Sequence, residues 1–138
     1  MGRSVFAMLA AGAAVAAAAS APALAHHSTA MFDMQKDVVI TGTVKDFQYT
    51  NPHSWLYVVG ADETGKQGEW GFEGEGPSTL LRAGIKKSSV APGEKVVVKG
   101  HPMRDGRSAA ALVSITKTNG EVLSQNPTLR KPAPGAAN

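Results

Sequence analysis

The sequence predicts an all-β protein, a small five-stranded OB-like Greek-key barrel with one short helix between strands 3 and 4. Apolar and polar residues alternate in several short stretches, and turns rich in Gly, Pro, Asn and Asp separate these stretches. Three strands, a helix and two strands follow one another, which is the element order of the OB-fold. A half-open barrel of other connectivity is the alternative, and closure would remove exposed sheet edges.

The first strand begins at Val38. Apolar residues recur with a period of two along residues 38–44, which predicts a half-buried strand. Phe47 falls on the opposite parity, so the apolar face changes sides near Asp46. A bulge there, or a bend at Gly42, would let one strand serve two parts of a barrel.

Two further strands form the next hairpin. Asn51-Pro52 ends the first strand, and residues 53–59 are rich in the aromatic and β-branched residues that favour strands. The polar stretch 62–66 predicts a hairpin turn. In the strand that follows, Trp70 and Phe72 alternate with Gly and Glu, which completes the first three strands.

The second half of the domain begins with the helix. A proline near the start and a glycine at the end bracket about two helical turns in residues 76–84. Residues 95–99 predict the fourth strand, residues 104–106 a hairpin turn, and residues 108–116 the fifth strand. The barrel domain therefore spans residues 38–123, after an N-terminal arm at 26–37 and before a disordered Pro/Ala-rich tail at 124–138.

The first 25 residues have the features of an export signal. Arg3 precedes an apolar stretch at residues 5–19, and Ala23-Leu24-Ala25 satisfies the small-x-small rule for signal peptidase. A membrane anchor is the competing interpretation, but this stretch is shorter than the ~20 residues that span a bilayer. We expect cleavage after Ala25, a periplasmic or secreted protein, and no stable membrane span once the signal is removed.

Composition excludes several classes of site. The 138-residue chain has no cysteine, so it has no disulfide, thiolate metal site or cysteine nucleophile. Its net charge is +3, from 14 Lys+Arg and 11 Asp+Glu, which is too small to indicate nucleic-acid binding. We find no G-x-S-x-G, phosphate-binding glycine loop or H-E-x-x-H motif, and so no positive evidence for an enzyme.

Histidines at the predicted mature terminus suggest a copper site. A mature His26 offers its α-amino group and its imidazole to one ion, and His27 or a distant histidine would complete a nitrogen set that favours Cu(II). Cleavage after Ala23 instead would put His26 third, where the amine, two amide nitrogens and the imidazole can also surround copper. The plain alternative is that both histidines are simply solvated.

Other candidate ligands lie in the predicted barrel. His53 follows a proline, which restricts the conformation of the residue before the proline. This restriction would fix the direction in which the imidazole projects from the barrel rim. Glu73 is a candidate carboxylate ligand, although a surface glutamate near a turn is the default interpretation. His101 and Met103 are possible additional ligands for Cu(I) or Ag(I), with a core-filling role as the alternative for the methionine.

With these residues placed, the chain resembles a bacterial family of small exported proteins classed as a domain of unknown function, DUF6152. The resemblance covers about residues 26–123, and its most distinctive parts are the His-His-Ser start and Asn-Pro-His. It implies an exported β-rich domain with no established activity. It also favours His26, His27, His53 and Glu73, which match motif positions, over His101, which does not. The remaining matching segments are Phe32-Asp33, Gly42-Thr43-Val44, Trp70, Pro77 to Leu80, and Lys99-Gly100 to Asp105-Gly106.

The sequence therefore predicts an exported periplasmic protein that binds metal, with copper as the expected cofactor, for storage or delivery rather than catalysis. The alternative is a non-metal binding module whose aromatic face, Trp55 and Tyr57 with Trp70, holds a small molecule, a glycan or an envelope protein.

Overall fold

The computed structural model describes residues 27–136, with side chains from Thr29 onward. The predicted signal peptide, His26 and the side chain of His27 lie outside the described residues. Among the described residues, no helix is long and apolar enough to span a membrane.

Five long strands form a closed barrel. The sheet runs in the order β3-β2-β1-β4-β5-β6, and parallel pairing of β3 with β5 closes it. One short helix, α2, lies between β3 and β4. The predicted all-β barrel is therefore confirmed, while its assignment to OB-like Greek-key barrels in particular stays a prediction. The elements are α1 His27–Ala30, β1 Val38–Gln48, β2 Ser54–Ala61, β3 Gln67–Gly74, α2 Pro77–Arg82, β4 Lys95–Pro102, β5 Ala109–Lys117 and β6 Val122–Leu123, with 3-10 turns at Lys87–Ser89 and Pro127–Leu129.

Strand β1 pairs with β2 along one edge and with β4 along the other. The register with β2 shifts between Val44 and Asp46, which is the bulge that the parity of Phe47 predicts. Gly42 lies opposite Gly60, and a Cβ added at Gly42 would come within 2.7 Å of the Gly60 Cα. The two strands therefore approach too closely there for any side chain.

The core fills the barrel from the inward faces of the strands. Side chains in β2 alternate, with Leu56 and Val58 fully buried and Trp55 and Tyr57 half-buried on the outer face. Leu80 of α2 is also fully buried, so the short helix packs onto the barrel. The main buried cluster contains Ile40, Val44, Phe47, Leu56, Val58, Phe72, Leu80, Ala83, Ile85, Val90, Val96, Val98, Ala110, Ile115 and Leu123.

The N-terminal arm is bound to the end of β4 by backbone hydrogen bonds. Phe32, only 2% exposed, forms an antiparallel bridge with Met103. The Asp33 amide donates to the Pro102 carbonyl at 2.8 Å, and the Arg104 amide donates to the Met31 carbonyl at 2.9 Å. The arm thus adds a short paired segment to the barrel.

The described part of the C-terminal segment is hydrogen-bonded to the barrel. Ser124 is buried, and its hydroxyl donates to the Val113 carbonyl at 2.6 Å. Val122 bridges Lys131, and the Arg130 guanidinium donates to the Ser124 carbonyl at 2.8 Å. The segment has no apolar period, and isolated side-chain and backbone hydrogen bonds attach it to the barrel.

Candidate functional site

A cleft of about 310 Å³ opens where β2 begins and where β3 and β4 end. Its walls carry three of the predicted candidates, His53, Glu73 and His101, which the structure places around one space. The arm forms another wall, through Thr29, Phe32 and Met34, and the C-terminal segment contributes Gln125, Asn126 and Leu129.

The strand register explains why this space exists. Ala111 of β5 pairs with Glu73 on one side and with His101 on the other. Side chains at paired positions project to the same face of a sheet, so the carboxylate and the imidazole stand on either side of a methyl group. A larger residue at position 111 would fill the gap between them.

His53 is oriented by Glu73. The imidazole Nδ1 lies 3.3 Å from the Glu73 Oε1, and the Glu73 side chain is only 9% exposed. In the neutral form of the imidazole, the carboxylate favours the tautomer with hydrogen on Nδ1, whose lone pair is on Nε2. Carboxylates hold many metal-binding histidines in this way.

His101 is oriented by the arm. Its Nδ1 lies 2.8 Å from the Lys36 carbonyl oxygen, which can only accept a hydrogen bond. The Asp37 Oδ1 lies 3.4 Å from the same nitrogen, and the Lys99 ammonium holds Asp37 at 2.7 Å. Nδ1 therefore carries a hydrogen, and in the neutral form of this imidazole the lone pair is on Nε2.

Glu73 is the buried carboxyl group of the cleft. Burial raises the pKa of its carboxyl group above the ordinary value, and the negative charge of Glu75 adds to this increase. The neighbouring His53 acts in the opposite direction and lowers the pKa. Burial is the larger effect, so the carboxylate is harder to ionise than an exposed glutamate.

The chain just after His27 reaches this cleft. Helix α1 begins at His27, and Thr29, two residues later, lines the cleft. Within the side chains that the structure describes, no three His, Asp or Glu groups lie close enough together to hold a metal ion.

The predicted aromatic face divides between the two sides of the sheet. The rings of Trp55 and Tyr57 stack on the outer face, with centroids 6.3 Å apart and planes at 19°. They border a second cavity of about 540 Å³, which Met31 and Met103 also line. Trp70 does not share this face, because it stacks on Phe72 and packs against the buried core.

His101 and Met103 do not border the same space: His101 lines the first cleft, and Met103 lines the second cavity. Sequence reasoning missed the roles of Ala111, of the Lys36 carbonyl and of the C-terminal wall. A backbone carbonyl leaves no trace in residue type, and an alanine within an apolar strand has no distinguishing pattern. The arm's proximity to His101 could have been found only by pairing the strands.

Residues 13–112 match the model of a family of unknown function, DUF6152. The match runs from the predicted signal peptide into β5 and includes His26, His27, His53, Glu73 and His101. No curated protein and no solved structure matches the chain.

Proposed function

We propose that this chain, which belongs to the family of unknown function DUF6152, is an exported periplasmic protein that binds copper for storage or delivery. One observation carries the proposal: two imidazoles border one cleft, and the arm that follows His27 forms a wall of the same cleft. The Nδ1 of His53 lies beside the Glu73 carboxylate, and the Nδ1 of His101 lies beside the Lys36 carbonyl. His26 and His27 would supply the remaining nitrogen ligands.

The donor chemistry supports copper. Neutral imidazoles bind Cu(II) more tightly than other first-row divalent ions of this series, and a terminal amine extends the nitrogen set. His53 and His101 would bind through Nε2. Glu73 would hold His53 in place and reduce the positive charge of the site, rather than act as the first ligand.

Delivery fits a site built from two parts of the chain. The barrel supplies two imidazoles, and the arm supplies the others, so copper can pass to an acceptor as one ligand at a time is exchanged. Catalysis would need a substrate bound beside the metal, in addition to these ligands.

Calorimetric titration with Cu(II) tests the proposal. The protein is purified after export, and intact mass establishes that it begins at His26. We expect His26→Ala with His27→Ala to weaken Cu(II) binding at least tenfold, and His53→Ala to weaken it as well. Insertion of three glycines before His26 is the matched control for the amine, because it keeps both imidazoles but moves them beyond the third position, where the amine could chelate the same ion. Unchanged affinity in the double variant contradicts the proposal.

A non-metal binding module is the second candidate, and the open cavity beside the stacked rings of Trp55 and Tyr57 favours it. Flat, half-exposed rings are suited to the apolar faces of sugars and other small molecules. Trp70→Phe leaves Trp55 as the remaining tryptophan. In this variant, a change in emission on titration with maltohexaose supports glycan binding, and unchanged emission counts against it.

A further inference from the structure

We propose that the second cavity is a separate site for a soft monovalent cation, Cu(I) or Ag(I). The thioethers of Met31 and Met103 would bind the ion beside the ring of Trp55. The inference is independent of the copper proposal for the cleft, since the two cavities share none of their lining residues.

The two methionines are on segments that are already joined. Met31 belongs to the arm and is 43% exposed, whereas Met103 follows β4 and is 8% exposed. The backbone hydrogen bond between the Arg104 amide and the Met31 carbonyl holds these segments together, as does the bridge between Phe32 and Met103. Backbone contacts of the chain itself therefore place both methionines at the border of the cavity.

Met31 is unlike a core methionine. A methionine that fills a gap in a core loses its exposure, and Met31 keeps nearly half of its surface. Thioethers are soft ligands that favour Cu(I) over harder ions, and they need no deprotonation. In a chain without cysteine, methionines are the sulfur ligands that remain.

The aromatic pair supplies a second kind of soft contact. A Cβ added at Gly71 would lie 3.4 Å from the rings of both Trp55 and Tyr57, so these rings lie over the bare backbone of β3. The face of an indole ring attracts cations, and tryptophan is the best of the aromatic residues in this respect. The cavity therefore offers sulfur and π electrons together.

The charged groups of the cavity are already paired. The Glu69 carboxylate lies 2.6 Å from the Lys45 ammonium, and the Arg107 guanidinium lies 2.7 Å from the Asp105 carboxylate. Glu69 is the acidic residue among those that line the cavity, so a hard divalent ion would have to displace a lysine there. This arrangement favours a soft ion of low charge.

Silver titration of the exported chain tests the inference, because Ag(I) has the same charge as Cu(I) and does not change oxidation state under these conditions. Binding is followed in chloride-free buffer by native mass spectrometry and by Trp55 emission in the Trp70→Phe protein. We expect Met31→Leu with Met103→Leu to weaken Ag(I) binding at least tenfold and to abolish the emission change. Leucine conserves the volume of methionine, so the double variant should fold.

Met34→Leu is the matched control, since Met34 is an exposed methionine of the same arm that lines the other cleft. The inference is overturned if the parent protein binds no Ag(I), if the double variant binds it like the parent, or if Met34→Leu weakens binding equally.

The two metal proposals fail in different ways. His26→Ala with His27→Ala should weaken Cu(II) binding and leave Ag(I) binding unchanged, whereas the methionine variant should do the opposite. Loss of both ions in both variants would mean one mixed site and would overturn a separate cavity site. A response to maltohexaose without any response to Ag(I) would also overturn it and favour the glycan module.

Discussion

The histidine cleft and the methionine-lined cavity are neighbours on the same outer face of the barrel, yet their chemistry differs. Strands β3 and β5 each contribute residues two positions apart to the two sites: β3 contributes Glu73 to the cleft and Gly71 to the cavity, and β5 contributes Ala111 and Ala109. Since side chains two apart in a strand share a face, one surface carries both sites side by side. The two sites therefore differ in the residue types that line them, although they lie on the same face of the sheet.

The arm is what the two sites share. Met31 lines the cavity, whereas the next residue, Phe32, lines the cleft. Successive side chains of an extended segment point to opposite sides, so one short stretch can serve both. We therefore expect the affinity of both sites for their ions to depend on the attachment of the arm to β4.

Phe32→Ala should break both sites at once and give the largest effect. Phe32 is 2% exposed, and removal of a buried phenyl ring costs on the order of 3 kcal/mol. We expect a lower free energy of unfolding in urea, and weaker binding of both Cu(II) and Ag(I). Leu81→Ala, which truncates a leucine that is 57% exposed, is the control and should change little. An arm variant that keeps both affinities would show that neither site depends on the arm.

Ala111→Leu should separate the two sites. The added side chain would occupy the space between Glu73 and His101, so Cu(II) binding should fall about tenfold while every ligand remains, a loss near 1.4 kcal/mol. Ag(I) binding should not change. Ala109→Leu is the matched variant on the same strand and should affect Ag(I) alone. Calorimetry with each ion measures both, and equal losses in the two variants would contradict two distinct sites.

Glu73→Gln should give the smallest effect, confined to the cleft and dependent on pH. Burial raises the pKa of Glu73 in the folded protein, so its contribution to stability is fully present below the pKa of the unfolded chain. That contribution is lost as pH rises through the higher folded pKa. In metal-free protein, the wild type should therefore lose stability relative to the variant as pH increases from 4 to 7. Urea unfolding at several pH values measures this, and parallel curves would contradict it.

Much of the barrel could be predicted from local pattern. The parity of Phe47 predicted the bulge in β1, and the bracketed stretch after β3 predicted α2. The site was only partly predictable. The sequence indicates His53 and Glu73 only as separate candidates, because their 3.3 Å approach depends on β2 pairing with β3. Trp70 was grouped with Trp55 by residue type, although its parity in β3 turns it toward the core.

The sequence by itself determined which elements form, because alternation, glycine turns and proline act within a few residues. It also determined the available chemistry: four histidines, five methionines and no cysteine. Tertiary structure alone decided which of these residues meet. Closure of β3 on β5 placed Ala111 between Glu73 and His101. Attachment of the arm to β4 placed Met31 at the cavity and Phe32 at the cleft. Such contacts join residues far apart in the chain, and strand register, which no local pattern encodes completely, sets them.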